Sequence, residues 1–372
     1  MNIVWDWIWA GPKRPDPQSN ASETTPMNED IKSAIRSVVS VLAGLGVGLV
    51  LVAAIGESPW HVLNVLAKSA FGTFYDFGMT LFFSTPLVLT GLAVAVPFRA
   101  GLFNIGAEGQ LTMGALACAV AGIVFPELTG VTAIGLGVAA SFLGGAFWGA
   151  IPGYLRAVRA NHEVITTIML NFVAIGLSSY VTLYWFKSME SQNPETQSMG
   201  AGYLLPPLPG FADTPLSGAA LMALILVPVC SWVFSRTVFG YQTQAVGENV
   251  EACQRAGLSV AKLRVMAMAL GGGLAGLVGV VEVMGNAGKF KIGFSPGYGF
   301  MGIAVALLGR GRPLGILFGA LLFGALHKGT SDLALETDRV SRDFSAILQA
   351  LVILSVSAVG LWEMKKARGK AS

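Results

Sequence analysis

The sequence predicts an all-α polytopic membrane protein, and three observations carry that expectation. Of 372 residues, 53% are hydrophobic and 12% charged, about half the roughly 25% charge of a soluble domain. A mean hydropathy of +0.65 leaves too little polar side chain to cover a water-facing surface. Long apolar runs recur, most near the roughly 20 residues that a helix needs to cross a bilayer.

In chain order, the opening MNIVWDWIWAGPKRPDPQSNASETTP is Trp-rich, then Pro/Ser/Asn-rich, without the apolar core of a signal peptide. Residues 1–30 therefore read as a disordered cytoplasmic tail or an over-long start. Apolar length and breaks place spans at 33–56, 79–97, 101–125, 130–151, 163–187, 216–235 and 263–284. A short pair follows at 298–309 and 313–326, then 344–362, and a basic tail at 365–372. Counting the short pair as two crossings gives about ten transmembrane segments, with a transmembrane body over 31–364. Lys32, Arg36, Arg99, Arg156, Arg159, Arg236 to Arg264, Arg310, Arg312 and Lys365 to Lys370 then gather on one side, whereas 188–215 lacks Lys and Arg. Basic loops mark the cytoplasmic face, so both termini are expected inside. Lys289 and Lys291, and Lys328, Arg339 and Arg342, fall outside against that rule. Small residues four apart, Gly44/Gly48, Gly272/Gly276 and Gly315/Gly319, let helix backbones approach closely in lipid and predict a compact bundle.

The inventory excludes several chemistries. Cys118, Cys230 and Cys253 are scattered with no CxxC pair, and His61, His162 and His327 are isolated. Neither a disulfide framework nor a thiolate metal site is supported, and no nucleophile–base constellation suggests a membrane enzyme.

The stretch FRAGLFNIGAEGQLTMGA, Phe98 to Ala115, places Asn104, Glu108 and Gln110 among glycines between two apolar runs. In a continuous helix Glu108 would rise about 13 Å beyond Arg99, deep in hydrocarbon, where an ion costs roughly 2.5–3.5 kcal/mol. Gly101, Gly106 and Gly109 instead predict a broken or re-entrant segment, tolerable only where it lines protein or water. Asn104, Glu108 and Gln110 then either satisfy freed backbone as a gate or structural hub, or line a path and meet substrate. Thr167 and Asn171 share a helix face, with Thr hydroxyls prone to bond the preceding turn. Glu282 and Asn286, four apart, and Tyr298 beside Gly297 are further pathway candidates. Glu163 reads as a first-turn charge with no further role.

The one large hydrophilic inner segment, 236–262, is expected to carry a single short helix of about two turns. Asn249 caps it, Glu251 lies in its first turn, where negative charge complements the backbone dipole, and Gly257 ends it.

Several runs resemble one family. Glu251 to Gly257, EACQRAG, is similar to the EAA-xxx-G loop of ABC importer permeases, with Cys253 replacing the second alanine. AVGEN, Ala245 to Asn249, resembles permeases for simple sugars, nucleosides and branched-chain amino acids. FRAGLFNIGAEGQ resembles the same superfamily's NIGxEGQ signature. NHEVITTIMLN, Asn161 to Asn171, and GFSPGYGFMGIAVALLGRGRPLG, Gly293 to Gly315, are similar to runs of its nucleoside-type branch.

The resemblance implies a type II-like ABC importer permease fold in a bacterial inner membrane. It implies an import channel for a nucleoside or simple sugar, paired with itself or a sister permease. Two cytoplasmic ATPases would grip the inner helix through Glu248, Asn249, Glu251, Arg255 and Gly257, and an extracytoplasmic binding lipoprotein would deliver substrate. No G-x-x-x-x-G-K-[ST] phosphate loop occurs, so ATP is expected to be used by the partner ATPase. No cofactor, metal, catalytic residue or nucleic-acid partner is expected, only lipid and these proteins. A branched-chain amino acid permease and an ion-coupled secondary transporter remain alternatives.

Overall fold

The computed structural model describes residues 26–159 and 161–337, with scattered positions between 344 and 358. Most of the expected N-terminal tail, Arg339, Arg342 and the basic tail 365–372 lie outside the described residues. Among those described, regular structure is helical apart from three isolated β-bridges. Among the described residues, seven helices are long and apolar enough to cross a membrane, and Val39–Ala54 and Tyr298–Leu308 are shorter apolar stretches.

The chain divides into two compact units, residues 1–72 with 326–372, and residues 73–325. In the first, α1 (Pro26–Ala54) and α2 (Pro59–Phe71) bury Val52, Val62, Val65 and Leu66 with Leu333, Phe344 and Leu348. Gly44 serves the close approach that its spacing predicts: a Cβ there would stand 2.7 Å from the Val352 Cα. α2 was not legible as a span, being only 13 residues long. Its start is nonetheless well marked, with Ser58 accepting from the His61 N–H at 3.4 Å and Pro59 in the first turn.

The second unit is built around α3 (Phe74–Arg99). A capping box opens it: the Asp76 N–H donates to the Thr73 hydroxyl at 3.1 Å and the Thr73 N–H to the Asp76 carboxylate at 3.2 Å. From Phe82 nearly every residue is enclosed, as expected of a helix that is apolar all round. In chain order follow α4 (Ala107–Val124), α5 (Gly130–Arg159), α6 (Glu163–Tyr184) and α7 (Gly218–Arg236). Next come α8 (Val238–Glu248), α9 (Val250–Arg255), α10 (Val260–Gly276), a π-helix (Val280–Ala287), α11 (Tyr298–Leu308) and α12 (Pro313–Glu336).

The tightest packing is between α5 and α10, and glycine makes it possible. A Cβ on Gly149 would lie 2.5 Å from the Met268 carbonyl oxygen, and one on Gly145 would strike that of Gly272. The Ser141 hydroxyl donates to the Gly276 carbonyl at 2.6 Å. Lipid supplies no hydrophobic drive between helices, so such close van der Waals contact carries the association.

Two sequence expectations are corrected. The inner segment holds two helices, because Val238–Glu248 is helical as well as Val250–Arg255. The first survives its glycines because Gly240 rests against the Val233 and Phe234 backbone while Val246 enters an apolar cluster. Glu163 has more than a first-turn role: its buried carboxylate pairs with Arg156 Nε at 3.2 Å, tying the end of α5 to the start of α6.

The outer connection 185–217 is strapped down. The Thr196 N–H donates to the Phe290 carbonyl at 2.9 Å and the Ile292 N–H to that of Pro194 at 3.0 Å. The Tyr203 hydroxyl donates to the Phe125 carbonyl at 3.2 Å. Glu195 accepts from Lys289 Nζ at 2.8 Å, which gives one of the sequence's misplaced outer lysines its partner. That bond holds the Glu195 carboxyl below its ordinary value of 4.5. A depressed carboxylate adds stability above its ordinary value, and the contribution is lost as pH falls through the lowered one. Limited proteolysis within 188–200 should therefore accelerate only below pH 4.5 in the native protein. Glu195→Gln should cleave faster at neutral pH and lose that acid step, and an unchanged profile would discount the strap.

Candidate functional site

The sequence places the unusual stretch at the end of α3, and the structure breaks the helix there. The N–H groups of Ala100 and Leu102 both turn back to the Pro97 carbonyl, at 2.9 and 3.1 Å. Gly101 takes φ +73, a left-handed conformation that favours glycine. The chain then crosses residues 100–106 without regular structure before α4 begins. Such a buried connection must satisfy its own polar groups, and Asn104, Gln110 and Asn171 do this.

Asn104 and Gln110 exchange reciprocal amide hydrogen bonds, Asn104 Nδ2 to Gln110 Oε1 at 2.9 Å and Gln110 Nε2 to Asn104 Oδ1 at 3.1 Å. Asn104 Oδ1 also accepts from the Gly106 N–H at 3.0 Å. From α6, Asn171 Oδ1 accepts from the Gly109 N–H at 2.8 Å while its Nδ2 donates to the Ile105 carbonyl at 3.0 Å. One side chain thus fills a first-turn donor of α4 and a loop acceptor. Thr167, fully enclosed, donates to the Val164 carbonyl at 3.0 Å, a bond within its own helix.

Glu108 reaches across to α11. Its Oε2 accepts from the Gly299 N–H at 2.7 Å, and the Ser295 hydroxyl bonds the same carboxylate. Ser295 in turn accepts from the N–H groups of Gly297 and Tyr298, at 3.1 and 3.0 Å. The carboxylate therefore sits at a helix start, where the backbone dipole favours negative charge. Gly299 must be a glycine for this contact, because a Cβ would drive into the Glu108 backbone. Beyond it, Tyr298 bonds Glu282 on the π-helix, and Asn286 Nδ2 donates to Glu282 Oε2 at 3.0 Å. Glu282 and Tyr298 are buried and Asn286 is exposed. A π-turn inside an apolar span is an irregularity often found at functional positions.

Sequence reasoning missed Ser295 and Gly299. A serine just ahead of a helix is a recognisable turn signal, but the Glu108 carboxylate that Ser295 and Gly299 both bond lies 191 residues from that glycine.

On the inner side, α9 is short and outward-facing. Asn249 Oδ1 accepts from the Ala252 N–H at 2.9 Å, and Gly257 follows the helix at φ +80. Cys253 alone of α9 is buried, against Val246, Val260 and Leu263. Glu248, Asn249, Glu251, Arg255 and Gly257 are all exposed. Glu251 and Arg255 approach within 3.9 Å, an exposed pair worth little by itself.

Comparison with known proteins follows this geometry. Residues 77–357 match the family model described as branched-chain amino acid transport system / permease component. The glucose ABC transporter permease protein TsgB13 of Haloferax volcanii is 36% identical, covering 85% of this chain and 85% of its own. The nucleoside ABC transporter permease protein NupB of Lactococcus lactis subsp. cremoris is 32% identical over 93% and 96%. The guanosine ABC transporter permease protein NupP of Bacillus subtilis is 33% identical over 86% and 92%.

Proposed function

Because the chain belongs to the permease-component family of the branched-chain amino acid transport system, we propose that it imports a nucleoside or a simple sugar as the membrane subunit of an ATP-binding-cassette system. It is a multi-pass protein of the bacterial plasma membrane. The observation that carries the reading is convergence: the NIGAEGQ and SPGYG runs, far apart in sequence, meet at Glu108 and Gly299 in one enclosed polar network.

ATP is hydrolysed by partner subunits that dock on α9, with Glu248, Asn249, Glu251, Arg255 and Gly257 forming the exposed ridge. A binding lipoprotein delivers substrate from outside, and a second permease, identical or a sister chain, completes the channel. Asn104, Gln110, Thr167 and Asn171 shape the path from behind, since their polar atoms already bond protein. Glu108 acts as a gate or hub between α4 and α11. Asn286, exposed beside Glu282 and Tyr298, is the group placed to meet a substrate hydroxyl.

Uptake by vesicles carrying this chain, its sister permease, the ATPases and the binding protein tests the reading. A panel of nucleosides, simple sugars and branched-chain amino acids should show ATP-dependent entry of one of the first two classes. Entry that collapses with the ion gradient instead would indicate a secondary transporter. Gly257→Arg should lower recovery of the ATPases in a pull-down about tenfold, a change of about 1.4 kcal/mol, and unaltered recovery would remove α9 as the docking element.

A further inference from the structure

α8 and α9 are joined without a flexible linker. The Asn249 N–H donates to the Ala245 carbonyl at 3.0 Å while its side chain caps α9, so one residue closes the first helix and opens the second. Gly247, two residues earlier, lies backbone to backbone against the end of α3. A Cβ at 247 would run into the Arg99 carbonyl oxygen and stand 3.3 Å from the Gly101 nitrogen. From the other side, a Cβ at Gly101 would stand 3.4 Å from the Gly247 Cα. The Arg99 guanidinium lies over the Phe234 ring of α7, 4.0 Å from its centroid, which seats the same residue against a second helix.

We propose that Gly247 is the positioning residue through which displacement of α9 reaches the connection 100–106, and through it the contact between Glu108 and Gly299. The inference rests on the reading of α9 as the ATPase-docking element. Side chains absorb a push by changing rotamer, and here none intervenes between the two backbones. Beyond the contact, Asn104, Gln110 and Asn171 bind the connection to α4 and α6, so it has little freedom to yield locally. A network of close-packed, fully bonded parts transmits strain.

The test compares Gly247→Ala with Gly176→Ala, a control in α6 where an added Cβ meets nothing within 4 Å. Both are assembled with the ATPases and the binding protein. Gly247→Ala should retain the ATPases and their basal turnover, yet lose substrate-stimulated turnover and uptake about tenfold or more, equivalent to about 1.4 kcal/mol in the coupled step. The control should behave as the native chain. A Gly247→Ala complex with native stimulation and uptake overturns the inference. A second measurement needs no variant: hydrogen exchange of amides 100–106 in the native complex should change between the nucleotide-free and ATP-trapped states. Identical exchange overturns the inference even if Gly247→Ala does not assemble. Should the native chain hold no ATPase, the function reading falls and takes this inference with it. Normal stimulation in both chains removes the inference alone.

Discussion

Glu108→Ala is expected to abolish uptake while leaving the ATPases attached, and Glu108→Gln to preserve a measurable part of it. The carboxylate takes the Gly299 N–H at 2.7 Å and the Ser295 hydroxyl. Alanine leaves both donors enclosed without a partner, at about 1–3 kcal/mol for each unmade bond. Glutamine keeps an oxygen for Gly299 but gives up the charge at the start of α11, worth about 0.3–1 kcal/mol and up to ~2 in partly buried sites. The two variants should therefore rank in that order in both uptake and thermal stability. The kinetic split identifies the role. A hub changes the maximal rate and leaves KM alone, whereas a substrate ligand raises KM in Glu108→Gln. Native uptake in Glu108→Ala would remove Glu108 from the machinery altogether.

The features legible in the sequence were those set by local chemistry. The break near Gly101 follows from glycine spacing, and the helix from Asn249 to Gly257 follows from a cap, a first-turn charge and a left-handed stop. Span positions follow from apolar length. Three things escaped, each because its cause lies in another element of the fold. Val238–Glu248 contains residues of modest helix propensity and is held by Gly240 and Val246 against other elements. Glu163 finds Arg156 across the α5–α6 turn. The Glu108 carboxylate meets a backbone N–H of α11, and no side-chain periodicity advertises a backbone donor. Sequence marks Asn104, Glu108, Gln110, Thr167 and Asn171 as polar groups in an apolar setting, while what each one bonds is visible only in three dimensions.

That distinction bears most directly on Asn171, where sequence left both substrate contact and structural service open. Both ends of its amide are occupied: the oxygen by Gly109, the nitrogen by Ile105. Asn171→Leu keeps the volume and removes both bonds, stranding an enclosed N–H and a carbonyl. Each stranded group costs about 1–3 kcal/mol, although hydrogen bonds between membrane helices average nearer ~0.6 kcal/mol. A loss of about 1–4 kcal/mol is expected between those limits, read as a lowered melting temperature in detergent with uptake falling in parallel. Asn171→Asp retains the acceptor for Gly109, in the first turn of α4 where negative charge is favoured, but it turns an oxygen onto the Ile105 carbonyl and encloses a charge, so it should be no more stable than the leucine variant. Its KM for the transported solute should match the native value, because the lost donor served Ile105 and not the path. A native melting temperature in Asn171→Leu would mean that α4 holds its broken start without help from α6. A shifted KM in a stable Asn171→Asp would return Asn171 to the substrate path.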